Sequence, residues 1–118
     1  MKININTNNL ELNDALKKYV SNKIGSLKKV VKRFEEKGEV KIFLELSRTT
    51  NHHKSGDVYY AEANVELDGD LIRVEHKDED IRVSIDQIKD ILQRKIRDKK
   101  EREVSRKRQA KRPGKPKK

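Results

Sequence analysis

The chain contains no cysteine, which excludes disulfides and thiolate chemistry and suits a reducing compartment. No apolar run approaches transmembrane length, and the opening MKININTNN lacks the apolar segment of a signal peptide. A cytoplasmic protein without a membrane partner is expected. Also missing are a glycine loop with a phosphate-binding lysine, a nucleophile motif and a carboxylate pair that stands out from surface acids. An enzyme is therefore not expected, nor a cofactor or a small-molecule substrate. His52-His53 is the only feature resembling a metal or acid/base site. Adjacent histidines diverge on most backbones and His76 has no partner at a defined spacing, so no metal site is expected.

What the chain has in abundance is charge. Its 118 residues, enough for one domain, carry a net charge of +10, with only 32% hydrophobic residues. Residues 97–118 hold twelve Lys/Arg and three acids, whereas residues 1–96 hold eighteen Lys/Arg and seventeen acids. A nearly neutral but polarised domain with a cationic end points to a nucleic-acid partner.

The segment Asn13 to Phe34 reads as a helix with two opposed faces. At about 100° per residue, Leu12, Leu16, Tyr19, Val20, Ile24, Leu27, Val30, Val31 and Phe34 form an apolar stripe. Lys17, Lys18, Lys28, Lys29, Lys32 and Arg33 fall opposite, and residues 15–34 contain no acid. A solvated helix gains from mixed-sign i,i+4 pairs, so a face of one sign calls for a polyanion to supply the other. Lys23 sits within the apolar stripe. Either its stem packs while its ammonium snorkels to an acidic partner, or it reaches a ligand between elements.

Taken in order, Lys2–Thr7 alternates as a short strand before an Asn8-Asn9 turn. Asn13 caps the helix, which runs to about Lys37, where Gly38 is expected to supply a left-handed stop; Gly25 weakens it. Val40, Ile42, Leu44 and Leu46 face inward from a strand spanning residues 39–47. Residues 48–57 read as an exposed loop. Val58–Leu67 and Leu71–His76 form a hairpin about Asp68-Gly69. Asp78 or Asp80 caps a second helix striped with Ile81, Ile85, Ile88, Leu92 and Ile96 and continuing as a basic projection. From about Ser105, with Pro113, Gly114 and Pro116, a disordered basic tail is expected. The fold is thus an α+β domain, β-α-β-β-β-α, over residues 1–104, a four-stranded sheet with two helices on one face, followed by the tail 105–118.

The open face of this sheet carries Phe43 and Tyr60, but also Glu45, Glu62 and Glu66. Those acids argue against single-stranded RNA stacking there, and the two aromatics are expected to pair across strands instead. The helical layer, rich in Lys/Arg and poor in aromatics, suits the phosphates of a folded RNA.

The segments ININTNNLELNDALKKYVSNKIGSLKK and HKDEDIRVSIDQIKDILQRKIRDKK resemble the ribosome hibernation-promoting and ribosome-associated inhibitor proteins. The resemblance spans about residues 2–100. It rests on Asn9, Ala15, Leu16, Tyr19, Lys23 and Leu27, then on Asp80, Ile85, Asp86, Asp90, Leu92, Arg94, Ile96 and Lys100. Arg82, Val83 and Ser84 depart from a usual tyrosine and two alanines. Ile91 and Asp98 replace common lysines, and Lys95 a common glutamine.

This resemblance implies a domain seated on the small ribosomal subunit in the mRNA/tRNA channel of the intact ribosome, inhibiting translation under stress and protecting idle ribosomes. It implies rRNA contacts by Lys17, Lys28, Lys29, Lys32 and Arg33 from the first helix and by Arg94, Lys95, Arg97, Lys99 and Lys100 from the second. Lys23 is carried over as a match, and Arg82 and Lys95 as replacements for lost charge. Long members add a C-terminal domain that joins two ribosomes; EREVSRKRQAKRPGKPKK is too short and polar for one, so ribosome dimerisation through a tail domain of its own is not expected, and off the ribosome a monomer is expected. Two rival readings remain: a general double-stranded-RNA module, which binds any duplex, and a protein-interaction domain using an acidic sheet, which loses nucleic-acid binding when residues 97–118 are deleted.

Overall fold

Seven elements follow one another: β1 (Lys2–Asn8), α1 (Asp14–Gly25), α2 (Lys28–Glu35), β2 (Lys41–Thr49), β3 (Val58–Leu67), β4 (Asp70–Asp78) and α3 (Ile81–Lys111). This computed structural model describes residues 1–49 and 58–111. Residues 50–57, with His52-His53, and residues 112–118 lie outside the described residues; Arg48 and Thr49, expected to open the loop, are instead the half-buried end of β2.

The strands form one sheet in the order β1-β2-β3-β4, with β1 parallel to β2 and the other pairs antiparallel. Period-two alternation sends Ile42, Leu44 and Leu46, with Ala61, Ala63 and Val65, to one buried face. Val20, Ile24, Leu27, Val31 and Phe34 cover that face from α1 and α2, and Ile85, Ile88, Leu92 and Ile96 from α3. The result is the predicted two-layer α+β domain. In the β3–β4 turn, Asp68 and Gly69 have φ of 49° and 77°, the mirror-image geometry that suits the strand twist. Asn13 caps α1, its Oδ1 accepting the Leu16 N–H at 2.8 Å. Of the two candidate caps, Asp80 caps α3 by accepting the Arg82 N–H at 2.8 Å, while Asp78 accepts the Asp80 N–H in the turn before the helix.

The structure departs from the sequence reading in four further places. First, the long first helix is two helices. Ser26 Oγ donates to the Lys23 carbonyl at 2.6 Å, and the Leu27 N–H bonds Ile24, three residues back, so the chain tightens just after Gly25. Ser26 and Leu27 stay right-handed helical, which keeps the apolar stripe nearly in phase across the break. Second, Gly38 is not left-handed; the Lys37 and Gly38 N–H groups both close onto the Phe34 carbonyl. Third, Phe43 and Tyr60 are not a cross-strand pair. The β2–β3 register sets Phe43 opposite Asn64 and Tyr60 opposite Ser47.

Fourth, α3 runs through residues 105–111, where a disordered tail was expected to begin. Residues 97–111 contain neither proline nor glycine and are dominated by Lys, Arg, Glu, Gln and Ala, which lose little rotamer freedom in a helix. At 1.5 Å per residue the 31 residues of α3 reach about 46 Å. The molecule accordingly measures 63 × 29 × 18 Å.

Candidate nucleic-acid interface

The basic residues fall into two groups, those neutralised within the protein and those that are not. Lys2 and Lys41 pair with Glu39, Lys37 with Asp68 and Glu103, and Arg73 with Glu62 and Glu75. By contrast Lys17, Lys28, Lys29 and Lys32 are exposed and Arg33 half-buried, and none has a carboxylate partner among the described residues. They stand on α1 and α2, their backs to the sheet, because the apolar stripe fixes the rotation of each helix. Lys28, Lys29 and Lys32 line a shallow hollow of about 630 Å³ with Gly25, Ser26 and Glu35, beside the tightened turn. Like charges this close repel within one screening length, so an anion seated there gains both attraction and relief.

On α3, Arg94, Lys95, Arg97 and Lys100 are also exposed and without carboxylate partners among the described residues. They do not form one stripe. Lys95 shares a hollow with Asp70, Arg73 and Arg102 on the β4 side, whereas Arg97 and Lys100 share another with Val104 and Arg108.

Lys99, expected to meet phosphates, is instead part of the interior. Only 8% of it is exposed; its ammonium lies 2.5 Å from Asp70, 3.1 Å from Glu103 and 5.7 Å from the centre of the Phe34 ring. Its position on the line of Ile88, Leu92 and Ile96 carries it inward, where the β3–β4 turn offers carboxylates. Burial works against the charged ammonium, but the bonds to Asp70 and Glu103 prevail and raise its pKa. Burial likewise disfavours the Glu103 carboxylate, yet hydrogen bonds with Lys99 and Lys37 hold its pKa down to about 2. This cluster fastens α3 to the end of α2 and to the β3–β4 turn.

Lys23 and Arg82 meet at the junction of α1 and α3. Lys23 Nζ lies 3.5 Å from Asp86 Oδ1, so the ammonium snorkels to an acid, the first of the two readings. Tyr19 donates to the same carboxylate oxygen at 2.6 Å, and the Arg82 guanidinium sits 5.1 Å from the Tyr19 ring centre. The bond to Asp86, aided by burial and by the Asp86 charge, raises the Tyr19 pKa to about 12. Asp86 was legible only as a member of a resemblance, and Tyr19 as that and as a member of the apolar stripe, with no sign of their bond. Their signal was positional: Tyr19 belongs to the apolar stripe of α1 and Asp86 follows Ile85 of the stripe of α3.

The open sheet face is mixed, not acidic. Glu45 faces Glu62 across β2 and β3, but register brings Lys41 opposite Glu66 and Arg73 opposite Asn64. Arg73 bonds Glu62 at 3.1 Å and Glu75 at 3.3 Å, and the Tyr60 hydroxyl donates to the same two acids. Hydrogen bonds from Tyr60 and Asn64 lower the Glu62 pKa. On this face Lys2, Lys41 and Arg73 are paired with acids, whereas Lys77, opposite Tyr60, is exposed without a carboxylate partner among the described residues; the larger groups of uncompensated cations lie on the helices. Among the described residues no group of three His, Cys, Asp or Glu could hold a metal, and no helix is long and apolar enough to cross a membrane.

Residues 3–104 match the family model described as Sigma 54 modulation protein / S30EA ribosomal protein. The ribosome hibernation promotion factor of Lactococcus lactis subsp. cremoris (strain MG1363) is 34% identical over 97 residues, which are 82% of this chain and 48% of that protein. The chain thus spans about half the length of the curated relative it matches. The crystal structure of the Thermus thermophilus Protein Y N-terminal domain is similar, with a TM-score of 0.65 and 32% identity, over 81% of this chain and 96% of that one. A ribosomal subunit interface protein from Coxiella burnetii shares the fold at 19% identity, with a TM-score of 0.66 over 85% of this chain and 98% of that one.

Proposed function

The chain belongs to the Sigma 54 modulation protein / S30EA ribosomal protein family, and on that premise we propose that it is a cytoplasmic ribosome hibernation factor. It occupies the mRNA/tRNA channel of the small subunit through its helical layer, blocks translation by exclusion and protects idle ribosomes. The family is one of non-enzymatic ribosome-binding proteins, so the mechanism needs no bond made or broken.

The observation that carries this reading is the one-signed face of α1 and α2, where Lys17, Lys28, Lys29, Lys32 and Arg33 have no carboxylate partners among the described residues. Such a surface releases counterions when it meets phosphates and gains affinity without base readout. Arg94, Arg97 and Lys100 extend it along α3. Lys95 faces the β4 side, Lys23 and Arg82 brace the α1–α3 junction, and Lys99 is withdrawn from the set.

Sedimentation of the protein with small subunits, large subunits and vacant ribosomes tests the proposal at physiological salt, with duplex RNA as competitor. Stoichiometric binding to small subunits and vacant ribosomes, displaced by mRNA with tRNA, is expected. Weak binding spread over every RNA species would sink it and favour a general duplex-binding module.

A further inference from the structure

The C-terminal part of α3 differs from every other basic segment in how its charge is arranged. On α1 and α2 the cations occupy one side because the other side is buried. Among the described residues of α3 the last with a side-chain ion pair is Glu103, which reaches Lys37 and Lys99. Beyond it, the direction that faced the core through Ile88 and Lys99 is taken at the next turn by Arg106, which is exposed.

Arg102 and Arg106 share one shallow hollow with Asp98, whereas Arg97 and Arg108 share another with Lys100 and Val104, and Glu101 and Ser105 form the ridge common to both. At 100° per residue the Arg102–Arg106 side and the Arg97–Arg108 side are roughly opposite. All four guanidinium side chains are exposed, and none has a carboxylate partner among the described residues. Residues 104–111 include four Lys/Arg and no acid.

A helix charged on one side lies on an anionic surface, while a helix charged on opposite sides has phosphates to satisfy on both. We propose that residues 97–111 form a helical arm that enters a groove or cleft of folded RNA and is flanked by phosphate backbones on two sides. This rests on the ribosomal reading above and adds a mode of engagement distinct from the face-on docking of α1 and α2. The arm is also preorganised: it meets RNA as a helix continuous with the core, so less ordering entropy is lost on binding than for a flexible cationic tail.

The test compares full-length variants for binding to purified vacant ribosomes across a salt series. The pairs are Arg97→Gln with Arg108→Gln and Arg102→Gln with Arg106→Gln; glutamine keeps helix propensity, and circular dichroism checks the helix. Each pair is expected to weaken binding by a similar factor, on the order of tenfold, and to flatten the log–log salt slope by about 1.4–1.8. Ser105→Pro, which breaks the helix but keeps every charge, is expected to weaken binding comparably. A loss confined to one pair means the arm lies on a surface and overturns the inference. Full binding by Ser105→Pro means a flexible tail suffices and also overturns it. If the arm variants bind normally while Lys28→Gln, Lys29→Gln, Lys32→Gln together abolish binding, the ribosomal reading stands and the arm proposal falls. If neither set matters, both fall.

Discussion

Tyr19 and Asp86, 67 residues apart in sequence, are joined by a 2.6 Å hydrogen bond that ties α1 to α3. The same carboxylate holds Lys23, and Arg82 covers the phenol ring, so one acid organises three side chains. The junction sits between the two parts of the basic layer and sets how they are held relative to each other.

Replacing Asp86 by Asn removes the charge and most of the constraint on the phenol. Tyrosinate absorbance during alkaline titration is expected to show the Tyr19 transition moving from about 12 toward the ordinary value near 10. Because the folded pKa is raised, the contribution of this bond is complete below about pH 10 and is lost as pH rises toward 12. An unmoved transition in the variant would assign the shift to burial instead.

Lys99→Met separates stability from binding. Loss of the ammonium leaves Asp70 without its lysine and Glu103 with Lys37 alone, a cost of about 2 kcal/mol in urea or thermal unfolding. Ribosome affinity, measured well below the unfolding temperature, is expected to stay within about twofold, since the side chain is buried within the domain. A large affinity loss without destabilisation would return Lys99 to the interface.

Glu103 gives the acid limb of stability. Its pKa is depressed to about 2 in the fold, so its contribution is present above the ordinary glutamate value and lost progressively as pH falls from about 4.5 toward 2. Glu103→Gln is expected to be less stable at neutral pH and to show a shallower stability decline across that window. Equal slopes in the two proteins would remove Glu103 from the account.

Ser84 is wholly buried on α3, and its hydroxyl has no hydrogen-bond partner among the described residues. Ser84→Ala removes an unsatisfied polar group and improves helix propensity, for an expected gain of about 1 kcal/mol. Denaturant midpoints compared at an unchanged m-value would measure it. A loss of stability would show that the hydroxyl finds a partner in solution.

The elements legible in the sequence were those with strong periodicity. Ile42, Leu44 and Leu46 alternate, and Ile85, Ile88, Leu92 and Ile96 repeat at helical spacing, so strand and helix followed directly from pattern. Strand register was not legible, because nothing local told Phe43 to face Asn64 in place of Tyr60. The tightened turn at Ser26 and Leu27 was foreshadowed by Gly25 but needed the side-chain bond of Ser26 to complete it. On the candidate surface, the lysines of α1 and α2 could be placed by angle alone. Lys99 could not, since its partners Asp70 and Glu103 become neighbours only when the β3–β4 turn packs beneath α3. The helical extension escaped because a lysine-rich run reads equally well as a tail or as a helix carried forward from an anchored start.

A helix anchored along one part and bare along the other has two lifetimes. Amide hydrogens of α3 around Ile85 to Ile96 open only when the core opens, and they exchange at the rate of global unfolding. Beyond Glu103 the described side chains Ser105, Arg106 and Arg108 are exposed, so amides there open in excursions smaller and more frequent than those of the core. The basic extension is therefore a helix before it meets any partner, and its brief openings leave the domain behind it intact.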